Sequence, residues 1–302
     1  MDYQEFLEEV RNEAERRLGK GCRAAVHQVI KNNAVCMEGL VVVEEERNIS
    51  PTIYLEPFYE KFRQGESFEG LMQEILQVYK ESRLEEDLDI SFFTDYEQAR
   101  ELLFCKLINY RANEELLKLV PHKRFLDLAI VPYCLLKNSA VGSASILVHH
   151  SHVGMWELEE ADLMREAEKN TREAMGFEIT SLKELVEELY SDEYESREEE
   201  EEIEMYVLSN KYKLNGAVCM AYEDVLAAFS EHVESDLYIL PSSVHEVLLV
   251  PAYCTHGLEQ LSEMVREVNT AQIDREDILS DHAYLYRKGV GFEKTDGLVT
   301  NL

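Results

Sequence analysis

The chain has 302 residues, of which 61 are Asp or Glu and 30 are Lys or Arg, giving a formal net charge of −31 with a hydrophobic share of 45%. That length buries a full core at the upper size for one domain, since cores split beyond ~250–300 residues. So negative a surface repels phosphate backbones and anionic lipids, and the densest basic stretch (Lys118, His122, Lys123, Arg124) is too small to hold a duplex, so nucleic acid and membrane are excluded as expected partners and a basic protein partner or plain solubility is left.

The first predicted element is a helix in which Tyr3, Phe6, Leu7, Val10, Ala14 and Leu18 share one face and Gly19 ends the run. Residues 22–30 and 34–43 are rich in β-formers, and Lys31-Asn32-Asn33 between them predicts a hairpin. Ser50-Pro51 breaks the chain, an aromatic segment with Tyr54, Phe58, Tyr59 and Phe62 reads as helical after Pro57, and 67–83 is a helix with an apolar stripe from Phe68 to Tyr79. Thr94 and Glu97 have the spacing of a capping box, so a further helix is expected from Thr94 to about Asn109. The run Phe125–Leu136 reads as one strand buried on both faces, with Ser143–Val148 as its neighbour. Helices follow at about 159–175 and 181–190, then Glu198–Glu202, a run of five glutamates, within an acidic segment near 191–204. Met205–Leu208, Ala217–Met220, Tyr238–Leu240 and Val244–Val250 read as strands, Tyr222–His232 and 257–269 as helices, and Asp281–Arg287 with Val290–Glu293 as a closing pair. Adjacent strand pairs with helices between them predict an α+β fold of mostly antiparallel sheets with packed amphipathic helices. Two lobes are expected, 1–118 and 119–302.

The acidic start MDYQEFLEEV lacks the basic and apolar regions of a signal peptide, and no window nears the ~18 apolar residues of a membrane span. Six scattered cysteines without a C-x-x-C pair fit reduced thiols. The expected location is the cytoplasm.

The segments TIYLEPFY (52–59), FLDLAIV (125–131), Ala144–Val148 leading into Trp156, YILPSSVHEVLLV (238–250) and the stretch from VREVNTAQIDREDILSDHAYLY onward resemble an uncharacterised bacterial domain family of unknown function, found mainly in gut anaerobic Firmicutes. The resemblance spans most of the chain and implies a cytoplasmic bacterial accessory protein, with no activity, substrate or catalytic residue attached.

Three places carry chemistry-bearing side chains. His149, His150 and His152 supply imidazoles that suit zinc or nickel, although on an extended strand they point to opposite faces and would need further ligands. The turn Ser242-Ser243-Val244-His245-Glu246 holds the residue types of nucleophilic hydrolysis, but as sequence neighbours and without a G-x-S-x-G elbow. Asp281-His282, after Asn269, Asp274 and Asp277, could bind metal or act as acid and base. His256 beside Cys254 offers a thiol–imidazole pair that one intervening residue does not bring together. No Walker loop, G-x-G-x-x-G, H-E-x-x-H or EF-hand loop is present, so no cofactor is expected. The reading is therefore a non-enzymatic accessory or protein-interaction protein with an acidic surface. The alternative is an uncatalogued hydrolase or metal-dependent enzyme around His245, Glu246 and His282, with Ser243 as a further catalytic candidate.

Overall fold

The computed structural model describes residues 1–19, 21–44, 50–82, 91–138, 142–189, 203–241, 243–254 and 257–293. The chain divides into two compact units, Met1–Thr94 with Leu136–Ala144, and Asp95–Leu135 with Ser145–Leu302. Residues 95–118, which the sequence groups with the N-terminal lobe, thus cluster with the second unit.

In the first unit, helix α1 (Tyr3–Leu18) begins at a capping box in which Asp2 accepts from the Glu5 amide and Glu5 accepts from the Asp2 amide. Gly19, at φ 84°, ends it as expected. Strands β1 (Cys22–Ile30) and β2 (Cys36–Glu44) form the expected antiparallel hairpin, in register from Cys22↔Glu44 to Ile30↔Cys36. The short strand β3 (Thr52–Tyr54) adds to β2. Gly39 lets that strand approach closely, because a Cβ there would lie 2.3 Å from the Thr52 methyl. Helices α2 (Glu56–Arg63) and α3 (Phe68–Ser82) complete the unit. Phe6, Val10, Leu40, Val42, Leu55, Leu71, Met72 and Ile75 form its core, drawn from the apolar faces of the helices and one face of the hairpin.

The second unit departs from the sequence reading at its start. Helix α4 spans only Tyr96–Ala99, continued by one 3-10 turn to Leu102, and Leu103–Asn109 is strand β4. The N-cap is Asp95, whose carboxylate accepts from the Glu97 amide at 3.1 Å, rather than Thr94. The apolar run 102–108 fits a buried helix and a buried strand equally by periodicity; pairing with the next hairpin decides for the strand.

That hairpin is the second correction. A short helix α5 (Glu114–Leu117) leads to β5 (Lys123–Phe125) and β6 (Leu128–Asn138), which replace one continuous strand. The chain reverses at Leu126, held at φ 55°. Leu128–Leu136 is buried throughout, as a strand covered on both faces requires. Strand β7 (Gly142–Leu147) pairs with β6, so this sheet has the order β4-β6-β5 with β7 also on β6.

Helices α6 (His150–Met155) and α7 (Glu160–Asn170) follow, the latter ending in a π-helical turn, Thr171–Met175. The remaining elements are β8 (Glu178–Ser181), α8 (Leu182–Leu189), β9 (Tyr206–Ser209), α9 (Glu223–His232), β10 (Leu237–Leu240), β11 (Val247–Pro251), α10 (Leu258–Ala271), β12 (Tyr284–Arg287) and β13 (Gly291–Phe292). They build a second sheet in the order β13-β12-β10-β11-β9-β8, every neighbour antiparallel. Ala217–Met220 is not a strand but part of a 3-10 segment, Gly216–Ala221, in which residues 216–220 are all buried. The fold is α+β with antiparallel sheets, and no described helix is long and apolar enough to cross a membrane. The glutamate run 198–202 lies outside the described residues, as do Ser242 and His256.

Candidate functional site

In antiparallel pairing, residues directly opposite one another share a face. The β4–β6 register Phe104↔Tyr133, Lys106↔Val131 and Ile108↔Ala129 therefore places Lys106 in a row of apolar side chains. Its neighbours are closed off: Ile108 and Tyr133 are each 1% exposed, Val131 0% and Phe104 6%. Lys106 itself keeps partial solvent contact. Its ammonium lies 5.9 Å from the centre of the Tyr133 ring, and among the described residues it makes no hydrogen bond or ion pair. Burial pulls the Lys106 pKa down, because a low dielectric disfavours the charged form, while the carboxylates of Asp277 and Glu276 act in the opposite direction. The Tyr133 hydroxyl is buried without a hydrogen-bond partner, its pKa pushed up to about 12 mainly by burial, with the Asn215 side chain acting in the opposite direction.

The same unit brings His245 to this neighbourhood through two segments. After β9, Asn210 closes a tight loop: its Nδ2 donates to Leu214 O at 2.7 Å and its Oδ1 accepts from the Tyr212 amide at 2.9 Å. Asn215 is left-handed at φ 53°, and its amide donates to His245 Nδ1 at 3.1 Å. That bond leaves the ring proton on Nε2, which faces Asp277 Oδ1 at 3.7 Å. The loop 272–283 is tied in by Val244 N donating to Asp277 O (2.9 Å) and by Asn109 Nδ2 donating to Leu279 O (3.1 Å). Gly216 is obligatory, because a Cβ would lie 2.1 Å from Ser209 Oγ and 2.6 Å from both Asn210 N and His245 O.

Ser243, His245 and Glu246 are brought together, but not as a nucleophilic triad. Ser243 Oγ donates to Glu246 Oε1 at 3.1 Å and accepts from the His245 amide at 3.0 Å, so its hydroxyl proton goes to the carboxylate and not to the imidazole. The hydroxyl builds the turn.

His282 belongs to a separate network. Its Nδ1 meets Ser280 Oγ at 3.1 Å and Asp281 Oδ1 at 3.4 Å, and its Nε2 faces Asp127 Oδ1 at 3.7 Å without a hydrogen bond. Asp127 sits in the β5–β6 turn and also accepts from the Tyr284 hydroxyl at 2.8 Å. Burial raises the Tyr284 pKa well above that of a free phenol, with the Asp127 charge adding to it. Ser280 is 1% exposed, which denies a substrate access to its hydroxyl.

The three histidines of 149–152 do not lie on an extended strand. His149 is the N-cap of α6, and its amide donates to His152 Nδ1 at 3.0 Å. His150 Nδ1 meets Glu160 Oε1 at 2.6 Å. Burial, then the neighbouring His149, lowers the His152 pKa. Their spacing is that of a helix cap, and among the described residues no group of three or more His, Cys, Asp or Glu is arranged to hold a metal ion. A hollow of about 630 Å³ between α8 and the segment leading into β9, lined by Leu182, Val186, Met205 and Tyr206 among others, includes none of these candidates.

Sequence reasoning missed Lys106 and Tyr133, and named Asp277 only beside Asp281 and His282. One signal was present: a lysine within Leu-Phe-Cys-Lys-Leu-Ile, visible as an oddity only once that run is read as a buried strand. Searches of the curated proteins and of the solved structures return no match. A family model does match residues 3–288, and the chain belongs to that family of unknown function, DUF5688.

Proposed function

We propose that the protein is a non-enzymatic cytoplasmic accessory protein that binds a basic protein partner through its acidic surface. The observation that supports this is an unpaired acidic ladder on α10. Glu259, Glu263 and Glu267 are exposed at i, i+4 and i+8, and among the described residues none of them has an ion pair or a side-chain hydrogen bond. Like charges at that spacing cost a helix ~0.2–0.5 kcal/mol per pair. Asp274 and Asp281, both exposed, continue the negative surface into the loop that follows. The hydrolase reading draws no support from the geometry, since Ser243 gives its proton to Glu246 and Ser280 is closed to substrate.

The test is retention of basic proteins from a lysate at low salt. Immobilised protein should hold a defined basic partner at 50 mM salt and release it at 0.5 M, where charges are screened beyond ~4 Å. The triple variant Glu259→Gln, Glu263→Gln, Glu267→Gln should lose most of that retention. Equal retention by the triple variant, or none by the parent, would sink the proposal.

A further inference from the structure

We propose that Lys106 and the groups around it form a binding site for a small neutral aldehyde or ketone, held reversibly as an imine on the lysine nitrogen. Four observations combine. Lys106 stands alone among apolar neighbours on the β4–β6 face, where an unpaired cation is costly. It has no hydrogen-bond or ion-pair partner among the described residues, yet keeps access to solvent. The Tyr133 hydroxyl, on a side chain 1% exposed, lacks the partner that buried hydroxyls find. The Asp277 carboxylate, which faces His245 Nε2 at 3.7 Å, acts on Lys106 electrostatically, as Glu276 does.

The ligand class follows from these charges. Asp277 and Glu276, with a net charge of −31 on the chain, disfavour an anion. A cation would face the lysine. A neutral carbonyl compound suffers neither repulsion, and it needs the free amine that burial favours. The Nζ lone pair attacks the carbonyl carbon, forming a C–N bond as the π electrons move to oxygen. The oxygen takes up a proton, the nitrogen gives one up, and a second proton on the oxygen lets water leave as C=N forms. No net protons are consumed, and no oxidant or reductant takes part. The protons are exchanged with the solvent that reaches Lys106, and the Tyr133 hydroxyl is the polar group left for the ligand.

The experiment uses propionaldehyde with the full-length protein at pH 7.5, quenched with borohydride and mapped by peptide mass spectrometry. Lys106 should be labelled several-fold faster than the exposed Lys118, saturably with aldehyde concentration, and the advantage should vanish in urea. Tyr133→Phe should keep the thermal midpoint while raising the half-saturating concentration several-fold. Labelling of Lys106 no faster than Lys118 would overturn the proposal. So would labelling that stays linear in aldehyde and indifferent to Tyr133→Phe, which would mark a reactive amine without a site.

Discussion

The first unit places its polar groups at the margin of the core. Tyr3 donates to Glu56 at 2.9 Å, Tyr79 donates to Glu44, and Lys31 lies over the Tyr54 ring. The β4–β6 face of the second unit does the reverse, setting Lys106 between buried Phe104, Val131 and Ile108 and leaving the Tyr133 hydroxyl unbonded. A buried hydroxyl without a partner costs ~1–3 kcal/mol, and an unpaired buried charge costs more. The first unit thus keeps its lysine over an aromatic ring at the margin, whereas the second sets one into the buried β4–β6 face; buried polar atoms without a partner occur in both, Glu56 Oε2 in the first and the Tyr133 and Tyr222 hydroxyls, Asn269 Oδ1 and His282 Nε2 in the second. The β4–β6 face adjoins the residues tying Asn215, His245 and Asp277 together. A lysine held at such a cost is a candidate for a site.

Three substitutions press on this contrast. Phe6→Ala empties a fully buried position in the first unit and should destabilise it by ~3–5 kcal/mol, read as a lower denaturant midpoint. A loss below ~1 kcal/mol would show that the core is not packed as described. Gly216→Ala should come next, at ~1–3 kcal/mol or more, because the added methyl meets backbone as well as Ser209 Oγ. It should also move the NMR signals of the His245 ring, and unchanged signals would detach Gly216 from that turn.

Lys106→Met has the smallest expected effect, and its sign is opposite. Removing a poorly solvated charge should stabilise the second unit by ~1 kcal/mol at pH 7. Because the folded-state pKa lies below that of free lysine, the folded chain binds fewer protons than the unfolded one between the two values. Parent stability therefore gains a rising contribution with pH across that window. The advantage of Lys106→Met should accordingly shrink as pH rises toward that of free lysine. An advantage that grew with pH, or a destabilised variant, would mean that the ammonium is well solvated or paired in solution.

Much of the fold was legible in the sequence where the signal is local. Helix α1, the β1–β2 hairpin, α3 and α10 follow from apolar periodicity, turn residues and caps that lie within one element. The errors fell on short apolar runs. Leu102–Ile108 reads equally as helix or strand, and FLDLAIV conceals a reversal at Leu126 that only its positive φ reveals. The first error also hid the site: a lysine at the edge of a helix face is ordinary, whereas on β4 Lys106 interrupts a buried face. His245 and Glu246 were singled out from residue type alone; Ser243 and Glu246 bond as a turn, and the carboxylate facing His245 is Asp277.

By itself the sequence determined the acidic character, the α+β class and most long helices, because charge and periodicity are properties of neighbouring residues. Only the tertiary structure decided that Asn109 on β4 would hold Leu279, 170 residues away, and that Asp277 would face His245. Those contacts depend on how sheets and loops pack, and packing reports the sum of many weak interactions that no short stretch of sequence contains.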